Sequence, residues 1–158
     1  MTSFCTIASE WTERVPLDEA ARIFRLALST PEMEGEQAVV VHDLGRMHRR
    51  LACLKSAFPA QSLHTVAIKA NPLVQVLRSV VSAGIGLEAA SIEEVALAVA
   101  AGCEPQKILF DSPAKTRSEL SEALRLGVYI NADNLEELSR IDTLQQREPS
   151  GSQIGVRV

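Results

Sequence analysis

From Leu63 onward the chain repeats one unit: a short apolar run, a capping residue, then about three turns of amphipathic helix. "TVAIKA" leads into Asn71-Pro72, which reads as an N-cap followed by proline at the first helical position. "IGLEAA" leads into Ser91-Ile-Glu-Glu94, and "KILFD", through "SPAK", into Thr116-Arg-Ser-Glu119. "VYINA" meets Asp133-Asn-Leu-Glu136, and all three tetrads carry the spacing of a capping box. The caps stand at 71, 91, 116 and 133, with gaps of 20, 25 and 17 residues, and "QIGVRV" adds a last strand. Strand–cap–helix at this period means parallel strands with right-handed crossovers, in a barrel or a doubly wound sheet. A dinucleotide-binding sheet needs GxGxxG at its first strand-to-helix turn; here Gly84 and Gly86 come before a strand. The expected fold is therefore α/β, a partial TIM-type (β/α) barrel with about five of its eight strands. A complete barrel takes about 250 residues, so the 158 residues are expected to hold only part of one.

Residues 1–37 read as an N-terminal helix and loop, and 38–158 as the barrel portion. "PLDEAARIFRLAL" places Leu17, Ala21, Phe24 and Leu28 on one helical face, and "STPEMEGEQ" is a loop. "AVVVHDL" is expected to be a strand, and "GRMHRRLACLKSAF" a helix with Met47, Leu51 and Leu54 along its apolar stripe.

Charge and cysteine usage exclude several classes. A net charge of -4 and a pI near 5.4 argue against a nucleic-acid partner. Cys5, Cys53 and Cys103 form neither a disulfide framework nor a CxxC metal site, which points to a reducing compartment. His42, His48 and His64 lack metal-ligand spacing. "MTSFCTIASEWTERVP" has no basic n-region with an apolar h-region, and no apolar run is long enough to span a membrane. A cytoplasmic location is expected.

Side chains alternate along a strand, and this puts charge where an apolar barrel would not. In "TVAIKAN", Thr65, Ala67, Lys69 and Asn71 share one face, while Val66, Ile68 and Ala70 share the other. Gly86, Glu88 and Ala90 line up in the same way. Both charges fall near the C-terminal ends of their strands, where barrel active sites form, and Arg157 stands close to the end of the last. Two readings remain open. Lys69 and Glu88 could form a buried ion pair that holds adjacent strands in register, at little net gain in stability. Alternatively, Lys69 is a buried lysine whose lowered pKa leaves a neutral amine to attack a carbonyl, naturally an aldehyde cofactor.

"AIKANP", "GIGLEAASIEEVALAVAAG", "KILFDSPAKT" and "GVYINADNLEEL", in this order and spacing, resemble the barrel of the fold-type III pyridoxal-phosphate decarboxylases. That family acts on ornithine, diaminopimelate, arginine and related amino acids, and the resemblance runs from about Ala38 to Val158. Alanine racemase shares the barrel and the Lys-Ala-Asn core, but Pro72-Leu-Val-Gln-Val favours the decarboxylase branch. The resemblance implies that Lys69 holds pyridoxal phosphate as a Schiff base. It also implies that Glu88, where the family often has aspartate, lies near the cofactor and lysine, and that Arg157 lies at the cofactor's edge. Ser91 and Glu94 fit the pattern too, but their capping box accounts for them. Lys115 recurs in the family without an assigned role.

The "AVVVHD" stretch resembles the start of the family's β-domain. The family's glycine-rich phosphate cradle, ring-stacking histidine, pyridine-nitrogen acid and substrate-selecting residues would lie beyond Val158. The implied function is decarboxylation of a basic or diaminopimelate-type amino acid, within a longer enzyme that is a homodimer when complete. The 158 residues alone are expected to be inactive. The alternative is a non-catalytic module that binds pyridoxal phosphate or a protein partner.

Overall fold

A computed structural model describes residues 14–36 and 38–157. The N-terminal stretch with Cys5, together with Gln37 and Val158 at the ends of the expected loop and strand, lies outside the described residues. The chain divides into two compact units between Asp43 and Leu44.

In the first unit, α1 (Leu17–Leu28) begins with Asp18 and Glu19 in its first turn and carries Arg25 in its last, both favourable to the helix dipole. Leu17, Phe24 and Leu28 are all exposed. The strand expected from "AVVVHDL" does not form. Residues 38–43 have no regular structure, and Val40 and Val41 are exposed. β-propensity alone does not hold a strand; it needs a neighbour to satisfy its N–H and C=O groups, and no described strand pairs with it.

The second unit opens with α2 (Leu44–Ala57) and then alternates. Its elements are β1 (Thr65–Ala67), α3 (Val74–Ser82), β2 (Gly86–Ala89), α4 (Ile92–Ala100), β3 (Ile108–Phe110), α5 (Arg117–Leu126), β4 (Tyr129–Ala132), α6 (Leu135–Arg147) and β5 (Ile154–Val156). The five strands are parallel and pair in sequence order. A doubly wound sheet would show a reversal of strand order; here there is none, and the arrangement is the advancing wall of a barrel. Right-handed crossovers then set every helix on one face. That face is the core: Ile68, Leu87, Ala89, Ile108, Phe110, Ile130 and Ala132 are fully buried. Leu77, Val95, Ala98, Leu120, Ala123 and Ile141 meet them from the helices.

The other face is open. Ala67, Glu88, Leu109 and Tyr129 stand side by side in register across four strands, all half-buried. Gly86 lies at the foot of this face, where a Cβ would overlap the backbone carbonyl of Lys107. Among the described residues no helix is long and apolar enough to cross a membrane.

The caps follow the sequence with three departures. Thr116 and Glu119 form the full reciprocal box. Ser91 accepts from the Glu94 N–H, while Glu94 reaches back one residue further, to the Ala90 N–H (2.7 Å). The cap expected at Asp133 belongs to Asn134, whose Oδ1 accepts from the Glu137 N–H at 2.8 Å. Asn71 caps no helix: its Oδ1 accepts from the Leu73 N–H (3.2 Å), an Asx turn, and α3 starts only at Val74. Proline restricts the residue before it to extended backbone, and Asn71 is extended, at φ -161° and ψ 97°.

Candidate active site

The chain leaves β1 two residues before Lys69. The expected strand from Thr65 to Ala70 divides into β1 and a 3₁₀ turn over Ile68–Ala70, closed by Asn71 N–H donating to Ile68 O at 2.9 Å. Ile68 points into the core and is fully buried, which forces Lys69 outward. Lys69 is exposed, so the buried lysine expected from the apolar run is corrected. Nor does Lys69 make a contact ion pair with Glu88 among the described residues; its ammonium acts on the Glu88 carboxylate through space. The structural ion-pair reading therefore fails.

Lys69 is nevertheless singular. The chain has four lysines. Lys55 donates to Ala83 O (3.1 Å), Lys107 pairs with Glu104 (3.1 Å), and Lys115 is buried against Glu137 (2.6 Å). Only Lys69, among the described residues, has an amine with no hydrogen bond or contact ion pair.

Glu88 sits on the open face of β2, level with Ala67 and Leu109. Burial raises its pKa above the ordinary carboxylate value. Asp111 and Glu94 push it in the same direction, while Lys69 and Arg157 oppose them. These five charged groups therefore share one neighbourhood at the C-terminal ends of the strands.

Arg157 follows β5, with its N–H donating to Ala132 O at 2.9 Å. Its Nη1 stands 3.5 Å from Asp133 Oδ1 and 3.9 Å from Asp111 Oδ1. The guanidinium is half exposed, so these pairs orient it more than they stabilise the fold. Asp111 Oδ1 is buried and accepts no hydrogen bond. Asp111 and Asp133 join the site residues expected from the sequence. Strand alternation carries the signal: Leu109 to Asp111 and Asn131 to Asp133 continue the parity that places Glu88 on the open face.

Beneath this rim lies a second feature the sequence did not expose. Lys115 and Glu137 have side chains 0% and 2% exposed. Lys115 Nζ also donates to Ser112 O (2.7 Å) and stands 5.6 Å from the centre of the Phe110 ring. Glu137 Oε2 also accepts from the Asp133 N–H (2.9 Å). Burial alone would raise the Glu137 pKa, but hydrogen bonds from Lys115 and from the Asp133 N–H outweigh it and hold the pKa below the ordinary value.

Residues 44–158, the second compact unit, match the model of the pyridoxal-dependent decarboxylase pyridoxal-binding domain. The chain belongs to this family. Diaminopimelate decarboxylase of Helicobacter pylori is 30% identical over 75% of this chain and 30% of its own length. The L-glutamyl-[BtrI acyl-carrier protein] decarboxylase of Niallia circulans is 36% identical over 59% of this chain and 22% of its own. The chain thus spans less than a third of the curated relatives it matches. The crystal structure of Vibrio vulnificus lysine/ornithine decarboxylase with putrescine superposes with a TM-score of 0.72 at 23% identity, covering 92% of this chain and 38% of that one. Helicobacter pylori diaminopimelate decarboxylase with L-lysine gives 0.69 at 24% identity, covering 82% and 34%. These likenesses establish the fold as part of the decarboxylase barrel.

The family's cofactor is pyridoxal phosphate, and the residues at the strand ends fit it. An uncommitted primary amine suits an aldehyde. A guanidinium suits an anionic edge, and the buried Asp111 Oδ1 can accept a donor.

Proposed function

We propose that this chain anchors pyridoxal phosphate through the Lys69 amine and serves decarboxylation of an amino acid of the basic or diaminopimelate type. The observation that carries this is the isolation of Lys69: an exposed amine with no committed partner, at the mouth of a pyridoxal-binding barrel, beside Glu88. When bound, the cofactor supplies the electron sink that makes loss of carbon dioxide accessible. The chain's own residues bind and orient. Lys69 would supply the amine that bonds the aldehyde carbon, the carbonyl oxygen leaving as water, and Arg157 would hold the anionic edge. Glu88 holds a proton more readily than a free carboxyl, next to the amine that must lose one. Acids at the rim (Glu88, Asp111, Asp133) suit a substrate with an ammonium group, and the named diaminopimelate decarboxylase relatives support the substrate class.

The test is an absorbance titration of the chain with pyridoxal phosphate. Wild type should saturate with a visible-range band that Lys69→Ala lacks, and Arg157→Ala should need roughly tenfold more cofactor, the loss of one charge-assisted hydrogen bond. An identical band in Lys69→Ala would sink the assignment.

A further inference from the structure

The buried pair beneath the rim has no evident thermodynamic reason to exist. Burying an ammonium and a carboxylate costs about as much desolvation as the attraction returns, and well-packed apolar residues often do as well. Its connections are what distinguish it. Lys115 closes the loop that begins at Asp111: its ammonium reaches back to Ser112 O (2.7 Å) and packs over Phe110, the last residue of β3. Glu137 closes the turn after β4: one oxygen, Oε2, receives both Lys115 Nζ (2.6 Å) and the Asp133 N–H (2.9 Å). Arg140 adds a second tie, donating to Lys115 O at 3.3 Å. The two loops thus meet at Glu137 Oε2, and each begins with an aspartate that faces Arg157.

We propose that Lys115 and Glu137 are positioning residues. Their pair fixes the two loops that carry Asp111 and Asp133, and through those carboxylates it fixes the direction of the Arg157 guanidinium. The inference rests on the reading of Arg157 as a cofactor-binding residue. A barrel rim built from separate strand-to-helix loops has no backbone ladder above the strand ends, so neighbouring loops need side chains to set their spacing. The sequence places this link 22 positions apart, from the loop after β3 to the first turn of α6.

The test uses the 158-residue chain and two readouts. The first needs no cofactor: amide hydrogen exchange at Asp133 should quicken at least tenfold in Lys115→Met/Glu137→Met, which removes the acceptor of that N–H and leaves no lone buried charge. The second is a double-mutant cycle on the pyridoxal phosphate concentration that half-saturates Lys69. The paired substitution should weaken binding roughly tenfold, matching Arg157→Ala, and the two together should be no worse than either alone. A purely structural lesion would instead multiply with Arg157→Ala, and that result overturns the proposal, as does unchanged exchange at Asp133. Should the paired variant not fold, Glu137→Gln enters the cycle on non-additivity alone: whatever it costs in cofactor binding in the wild type, it should cost nothing further in Arg157→Ala, and a full added cost there overturns the proposal. If Arg157→Ala itself leaves binding unchanged, the role of Arg157 falls and this inference falls with it. Additivity beside an active Arg157 removes this inference alone.

Discussion

Lys115→Met gives the sharpest energetic prediction. The substitution keeps most of the side-chain volume but removes the ammonium, leaving the Glu137 carboxylate 2% exposed with only the Asp133 N–H beside it on that oxygen. Both side chains are essentially solvent-free, so screening does not dilute the effect. Breaking a buried pair from one side costs about 3–5 kcal/mol, a large part of the roughly 5–15 kcal/mol that holds a domain together. Replacing both partners by methionine removes the lone charge and leaves backbone groups unmet, among them Ser112 O and the Asp133 N–H. That variant should lie within about 2 kcal/mol of wild type. The sign with pH separates this account from a packing defect. In the wild type the folded-state pKa of Glu137 is depressed, so its stabilisation is present above the unfolded value and is lost as pH falls through the folded value. In Lys115→Met the cation is gone and burial of the Glu137 carboxylate is opposed only by backbone N–H groups, so the penalty on its charged form shrinks on acidification as the carboxyl takes up a proton. Urea unfolding followed by circular dichroism at neutral and at acidic pH measures it. A loss below about 1 kcal/mol at neutral pH, or one that grows on acidification, would refute the reasoning.

Three further outcomes follow from the same structure. Gly86→Ala drives a Cβ into the Lys107 carbonyl, a backbone atom that cannot swing away, and should lower stability by about 2–3 kcal/mol in the same unfolding assay. Carbon-detected NMR titration should find the Glu88 carboxyl above the usual carboxylate range. Because a carboxyl raised in the folded state binds protons more tightly there, Glu88→Gln should melt no lower than wild type at neutral pH. Thr116→Ala removes one half of the reciprocal cap on α5 and should cost about 1 kcal/mol, with circular dichroism at low temperature unchanged.

The parts of the fold that depend on local chemistry were legible in the sequence. Thr116 and Ser91 announce their helices because a short oxygen three residues before a glutamate has few other uses, and the apolar strands between such caps imply the parallel order. Where two neighbouring residues can do one job, the sequence does not choose. Asp133-Asn134 is such a case, and the asparagine caps while the aspartate turns to Arg157. The apolar pattern carries the expected β1 on to Ala70 because Ile68 is as apolar as a strand residue; its burial within a 3₁₀ turn depends on packing that no local pattern encodes. The same three-residue excess is what would bury Lys69 within the strand. "AVVVHDL" failed as a strand for the complementary reason: propensity without a partner. At the site, Lys69 and Arg157 both act on the Glu88 carboxylate through space. Asp111 and Asp133 complete it by strand parity, whereas the Lys115–Glu137 link joins distant segments and required the folded chain.

The measurement that bears most directly on the central claim is borohydride reduction of the chain with pyridoxal phosphate, followed by peptide mapping. The account predicts one dominant phosphopyridoxyl peptide, at Lys69, absent from Lys69→Ala and saturating with cofactor. Labelling spread over Lys55, Lys107 and Lys69 alike would contradict it, because the amine at the barrel mouth would then be no different from any other on the surface.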